Sequence, residues 1–352
     1  MGFTIGKKDG FEGGVNDMED GDVIPWERNP GRYKVDGMYN SDIAVIHEFH
    51  RQNPDIEIDL IRAKDISKKR LQSNDINYIL GHDLVDGFWG KRGYEKTLEV
   101  YKSANVFPVM KLQKFVVDKG DYYEHFRKNG IPVADTFTIK RKGRGFYVGK
   151  RKVDAKYILE QAEKRGWKSM ISKVVMGAWG KGFKKWKTID LKKSGGLVRL
   201  DRFLASDRIL RFPGVIFQEE VVDFWEVRTY WFDNKYVNAV ATQHDFSIGD
   251  DYILDNRRIK KFLPELQKLG KKVLRVLPRV EVGGEEIRPV MMRIDFGCCL
   301  GGRFFVNEIE NMACNLFVDW NRKSIPVFGK VLGERSRQLY RLGWRRSIKK
   351  RQ

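Results

Sequence analysis

The sequence predicts a mixed α/β and α+β fold in several subdomains, and three observations carry that expectation. Strand and helix patterns alternate over residues 41–82, the spacing of a small parallel sheet with crossover helices. A Gly-rich segment, MGAWGKGF at 176–183, directly follows a β-like run. Near the end, two further β-like runs flank Gly301-Gly302 and carry acidic residues at alternate positions.

Composition narrows the reading. A chain of 352 residues with 41% hydrophobic content suits a folded protein of two or three compact subdomains. Lys and Arg number 67 against 47 Asp and Glu, a net charge of +20. Such a field attracts nucleotides, acidic peptides, sugar phosphates or nucleic acids without choosing among them. Cys298, Cys299 and Cys314 are the cysteines; an odd count argues against a disulfide framework, and the lack of a CxxC pair argues against zinc. The N-terminus reads as neither a signal nor a transit peptide, and no apolar run approaches the roughly 20 residues of a membrane helix. The expectation is a soluble, cytoplasmic protein in a reducing compartment, without membrane contact.

In order along the chain, residues 1–38 are rich in Gly, Asp, Asn and Pro without a period, and read as an irregular arm. Residues 39–115 form a small α/β domain: helix 43–50, strand 56–61, helix 64–71 and strand 76–80. Residues 116–212 open with an amphipathic helix over 119–130, closed by a C-terminal glycine. A strand at 135–139 follows, then a helix capped by Asp154, a strand at 170–175 and the Gly-rich loop. Residues 213–333 hold strands at 215–222, 226–232 and 236–242. A helix over 258–276 has its apolar face marked by Phe262, Leu266, Leu269 and Val273, and the acidic hairpin comes after it. Residues 334–352 are a basic tail.

The hairpin RPVMMRIDFGCCLGGRFFVNEIENMACN, 288–315, is the most informative stretch. Gly301-Gly302 suits a two-residue turn. A turn centred there sets Asp295 opposite Glu308 and Arg293 opposite Glu310, all on one face by the strand period. Carboxylates with Cβ atoms roughly 4.5–5.5 Å apart repel unless a cation intervenes, and magnesium needs only one or two of them when phosphate oxygens complete its shell. The plainer alternative is a solvated cross-strand charge pair. In MGAWGKGF, Gly177, Gly180 and Gly182 let backbone N–H groups approach phosphate and Lys181 adds charge; a Gly-rich hairpin tip is the plainer alternative here. Lys173, within an apolar strand, is costly without an anion.

These elements, in this order, resemble the ATP-grasp superfamily in its D-alanine-ligase and glutathione-synthetase form, over about 105–320. DKGDYYEHFRKNGIPVADT (118–136) looks like the family's opening segment, and Lys119 matches its first phosphate lysine. ISKVVMGAWGKGF (171–183) matches the second lysine, Lys173, and the loop that closes over phosphates. In VIFQEEVVDFWEVRTYWFDNKYVNAVATQ (215–243), Gln218, Glu219 and Val221 match the adenine-holding linker, and Glu226 the ribose-binding acid. RIDFGCCLGGRFFVNEIEN matches the metal hairpin. The resemblance implies an ATP-grasp fold of lid and core subdomains behind the small α/β domain. It implies ATP with Mg2+, or Mn2+ in its place, held by Asp295 and Glu308, with Glu310 or Asn311 as the last ligand. Arg228 and Arg293 fall where the family places arginines facing the phosphoryl group and the substrate. The implied reaction is an ADP-forming carboxylate–amine ligation through an acyl phosphate, on an anionic small-molecule or peptide substrate. Gln243 stands where many members keep an arginine, which bears on the acyl-phosphate contact and the substrate class.

Three other readings compete. A kinase of the same fold acting on a polyol phosphate suits the +20 charge. Lys34-Val35-Asp36-Gly37 reads KxDG, as in nucleotidyltransferases, although a turn at Asp36-Gly37 explains it more simply. Trp179, Trp186 and the basic tail would suit single-stranded nucleic acid.

Overall fold

The computed structural model describes residues 1–4, 34–35, 38–39, 41–61, 65–80, 94–102, 105–177, 182–222, 224–245, 250–253, 259–299, 301–312 and 323–344. The chain divides into two compact units, one of residues 1–114, 225–296 and 308–352, the other of 115–224 and 297–307.

The first unit opens with β1 (Gly2–Thr4), β2 (Lys34–Val35), β3 (Met38–Tyr39), α1 (Ser41–Gln52), β4 (Asp59–Ile61), α2 (Lys68–Ser73), β5 (Asn77–Ile79), α3 (Tyr94–Lys102), β6 (Val106–Phe107) and α4 (Met110–Val117). One sheet runs β4-β1-β5-β6 with parallel pairings, as the alternation predicts. The reading of residues 1–38 as an irregular arm is corrected at its start. Gly2–Thr4 is an inner strand of this sheet, too short to show a period but fixed by its neighbours. The Gly2 amide donates to Ile76 O at 2.9 Å, and the Phe3 ring packs 5.2 Å from Phe49 and 5.7 Å from Tyr78. The second helix also starts later than the apolar pattern suggests. Ser67 Oγ accepts from the Arg70 amide at 3.2 Å and caps a helix beginning at Lys68. The Lys34 motif sits in a small antiparallel hairpin, Val35 pairing with Met38; Asp36 and Gly37 lie outside the described residues.

The second unit contains α5 (Lys119–Lys128), β7 (Thr136–Lys142), β8 (Gly145–Val148), β9 (Arg151–Val153), α6 (Ala155–Lys164), β10 (Ser169–Val174), β11 (Lys184–Lys187), α7 (Thr188–Lys192), α8 (Gly196–Ala205), α9 (Asp207–Leu210) and β12 (Gly214–Glu219). Its sheet, β11-β10-β12-β7-β8-β9, is antiparallel throughout. Both helix starts are capped, the second by the residue expected from sequence. Asp118 accepts from the Asp121 amide at 3.0 Å, and Asp154 from the Tyr157 amide at 2.9 Å. Phe137 stacks on Trp167 and Phe217, and Trp186 meets Phe203 of α8, so one face of the sheet is an aromatic core. Trp186 is buried and its Nε1 donates to Ser172 Oγ at 3.1 Å. It offers no surface for stacking a base, which corrects its place in the nucleic-acid reading; Trp179 lies outside the described residues.

The first unit resumes with β13 (Phe224–Phe232), β14 (Lys235–Asp245), β15 (Asp250–Ile253), α10 (Leu263–Val276), β16 (Glu281–Val282), β17 (Glu285–Glu286), β18 (Met291–Cys299), β19 (Phe304–Glu310) and α11 (Ser324–Arg341). Five strands form a sheet in the order β15-β14-β13-β18-β19. Asp233 and Asn234, both at positive φ, turn β13 into β14, the backbone of a type I′ hairpin. Leu266 and Val273 of the expected α10 face are buried. The basic segment from Glu334 begins inside α11, where Arg335 is buried and pairs with Asp233 at 2.7 Å; 345–352 lie outside the described residues. Among the described residues, no helix is long and apolar enough to cross a membrane. Cys298 and Cys299 are free thiols, and Cys314 lies outside the described residues.

Candidate functional site

In the first unit the strand period gathers charge onto one sheet face. Glu226 and Arg228 alternate on β13, Arg293 and Asp295 on β18, and Glu308 and Glu310 on β19. β18 is inner in the sheet and buried from Met291 to Cys298, so its two charged residues must satisfy each other. Arg293 Nε donates to Asp295 Oδ1 at 2.9 Å and Nη2 to Oδ2 at 2.8 Å. The third guanidinium nitrogen, Nη1, lies 3.0 Å from Glu310 Oε2, the cross-strand pair expected from sequence. On β13, Arg228 Nη2 stands 2.9 Å from Glu226 Oε2. Burial pushes the Asp295 carboxyl up to about 6; the Arg293 guanidinium opposes the rise, Glu226 adds to it and Arg228 opposes it.

The face carries four carboxylates (Glu226, Asp295, Glu308, Glu310) and two guanidinium groups (Arg228, Arg293). Carboxylate oxygens are the ligands that magnesium takes, so the donor set fits it in oxygen chemistry. Among the described residues, no group of three or more His, Cys, Asp or Glu is arranged to hold a metal alone, so phosphate oxygens or water must complete any shell. Asn311, the alternative last ligand, is buried directly after β19.

The turn between β18 and β19 differs from the two-residue form that Gly301-Gly302 suggests. The Gly302 amide donates to Cys299 O at 2.9 Å and the Cys299 amide to Arg303 O at 3.0 Å. Gly302 has φ +78, the left-handed residue of a three-residue turn with a bulge. Cys299 therefore faces Arg303 at the turn, one residue out of step with the expected register; the Arg293–Glu310 pair requires β19 to take up one extra residue before Glu310, as a bulge does. The hairpin tip, 297–307, is anchored within the second unit: Val306 donates its amide to Pro132 O at 2.8 Å, and Tyr123 Oη donates to Asn307 O.

In the second unit, Lys173 of β10, Ile216 of β12 and Thr138 of β7 are aligned Cα partners and share the face opposite the aromatic core. A Cβ on Gly120 would lie 3.0 Å from Thr138 Cγ2, so the first turn of α5, which opens at Lys119, packs on this row. Two strand spacings, about 10 Å, separate Lys173 from Thr138. Gln218 belongs to the same face but is buried, its Nε2 donating to Thr136 Oγ1 at 3.1 Å. Glu219 and Val221 are partly exposed at and beyond the end of β12. The sequence reading missed Lys185 and Glu220, an ion pair beside Ser169 on the Lys173 side of the sheet. The lysine pair that opens β11 after the glycine loop is the signal that would have found Lys185.

The glycine loop joins β10 to β11. Gly177 and Gly182 are described, whereas Gly180 and Lys181 lie outside the described residues. Gly182 has φ +73, and a Cβ there would lie 2.4 Å from Val174 Cγ1. Its carbonyl accepts from Ser172 Oγ at 3.1 Å, pinning the loop base. Gly182→Ala is expected to lose on the order of 2–4 kcal/mol, combining left-handed strain with overpacking. Urea unfolding measures the loss, and Gly182→Ala/Val174→Ala should recover the packing part; no loss in the single variant would contradict the assigned backbone.

No family model matches the sequence, and no curated protein matches it. Solved structures resemble it over nearly its whole length. The D-cycloserine synthetase DcsG has a TM-score of 0.63 at 15% identity, covering 95% of this chain and 98% of that one. The D-alanine–D-alanine ligase from Bacillus anthracis complexed with ATP has a TM-score of 0.56 at 14% identity, covering 97% of each chain. A RimK domain ATP-grasp protein from Sphaerobacter thermophilus has a TM-score of 0.52 at 12% identity, covering 84% of this chain and 95% of that one. The chain has the ATP-grasp fold. Within that fold, it is similar in architecture to D-alanine–D-alanine ligase.

Proposed function

We propose that the protein is an ATP-dependent ligase that joins a carboxylate to an amine and releases ADP and phosphate. The observation carrying this reading is the sheet face on which Arg293 gathers Asp295 and Glu310 beside the Arg228–Glu226 pair, in a chain with the ATP-grasp fold. Asp295 and Glu308 are the magnesium ligands, with Glu310 or Asn311 completing the protein's share. Bound there, magnesium would neutralise phosphate charge and fix the phosphate oxygens.

The chain's own residues supply position and electrostatics. Lys119 and Lys173 meet the phosphates, and Gly177, Gly180, Lys181 and Gly182 cover them. Gln218, Glu219 and Val221 hold the adenine side, and Glu226 the ribose. Arg293, its guanidinium taken up by Asp295 and Glu310, sets the carboxylates. Arg228 stabilises the transferring group. The substrate carboxylate takes the γ-phosphoryl group and ADP leaves; the amine then attacks the acyl phosphate, losing a proton and expelling phosphate.

The test incubates the full chain with magnesium, labelled ATP and pools of amino acids, peptides and sugar phosphates. ADP release that requires a pool containing both a carboxylate and an amine is the expected result. ADP release driven by sugar phosphates alone would replace the ligase reading with a kinase. AMP retained on the protein and lost in Lys34→Ala would replace it with nucleotidyl transfer.

A further inference from the structure

A groove of ≈ 490 Å³ lies in the first unit, lined by the β13–β14 turn, the C-terminal half of α10 and the segment around β17. Counting along β13, Asp233 at this groove is about 23 Å from Glu226 at the rise of an extended strand. It is therefore a separate place from the carboxylate face.

Its lining is basic. Lys235, Lys271, Arg275, Arg279 and Arg288 line it against two carboxylates, Asp233 and Glu286. Those carboxylates are already engaged. Asp233 takes Arg335 at 2.7 Å, Arg288 at 3.5 Å and Lys235 at 3.8 Å, and Glu286 takes Arg279 at 3.7 Å. Lys271 and Arg275 have no acidic partner among the described residues. They lie one helical turn apart on α10, so their charges repel and go unanswered. Asn234 also lines the groove. Leu274, Leu277, Val280 and Ile287 add apolar lining.

We propose that this groove binds a small, multiply phosphorylated molecule. Lys271 and Arg275 take one phosphate, and Arg279 and Arg288 face another. The volume suits a molecule of hexose bisphosphate size. The inference is independent of the ligase reading.

Calorimetric titration of the full chain with fructose 1,6-bisphosphate, at about 0.15 M salt to screen loose attraction, tests it. Saturable binding near one molecule per chain is expected. Each charge-assisted phosphate contact contributes about tenfold, so Lys271→Glu/Arg275→Glu should weaken binding about a hundredfold or more. Both positions are exposed, and a thermal melt confirms that the variant folds. Lys268→Glu/Lys272→Glu makes the same charge change on α10 outside the groove lining and should leave the affinity nearly unchanged, as should Lys119→Ala/Lys173→Ala. Absence of binding to the unsubstituted protein would overturn the proposal. So would an equal loss in the two α10 variants, or a loss confined to Lys119→Ala/Lys173→Ala.

Discussion

Replacing Glu308 with alanine is expected to cut ADP formation by about 10³-fold or more while leaving the fold standing. A metal ligand at a phosphoryl group contributes several kcal/mol of charge stabilisation, and each 1.36 kcal/mol is tenfold in rate. Stability should not follow. Glu308 is partly exposed, so water can answer whatever group it leaves. Thermal melting of parent and variant should differ by a few degrees at most, about what 1 kcal/mol moves in a chain of this size. Glu308→Gln keeps the side-chain volume and should be nearly as inactive, which separates charge from packing. A well-folded Glu308→Ala protein that still turns over ATP would remove Glu308 from the site and, with it, the ligand set proposed here.

The sequence made the larger elements legible because each carries its own local cause. Asp118 and Asp154 are side-chain caps one residue before α5 and α6, and a cap needs no tertiary information. β13 and β14 are long enough for their patterns to be read. β1 is not: three residues show no period, and only the partners Asp59–Ile61 and Asn77–Ile79 define it. The candidate site divides in the same way. That Arg293 and Glu310 share a face follows from alternation, and the ion pair is present. The turn form did not follow, because Gly301-Gly302 suits several turns and only the hydrogen bonds of Cys299 choose one. Nor did the contact of the Gln218 amide with Thr136 across the sheet. That contact depends on β12 lying beside β7, which no local pattern reveals.

Replacing Arg293 with leucine should lose about 3–5 kcal/mol of stability, the usual cost of stripping the partner from a buried charge. Arg293 serves two carboxylates from a position 5% exposed, and Asp295 beside it is 1% exposed. Leucine fills part of the space and answers neither charge. The loss should also depend on pH in a definite direction. Asp295 titrates near 6 in the folded chain, above the roughly 3.9 of an unfolded aspartate. Its folded form thus binds the proton more tightly. That contribution is fully present below pH 4 and is lost as pH rises through about 6. Arg293 holds this value down, so in Arg293→Leu it moves higher and the loss continues to higher pH. The gap between parent and variant should therefore be small near pH 5 and widest near pH 8. Urea unfolding of both proteins at the two pH values reads it directly, and comparing them pairwise cancels the acid sensitivity of the other carboxylates. Arg293→Lys should recover part of the stability, since it restores charge without the two-pronged geometry. A pH-independent loss, or one below about 1 kcal/mol, would mean that Asp295 is not carried by Arg293 as a charged pair.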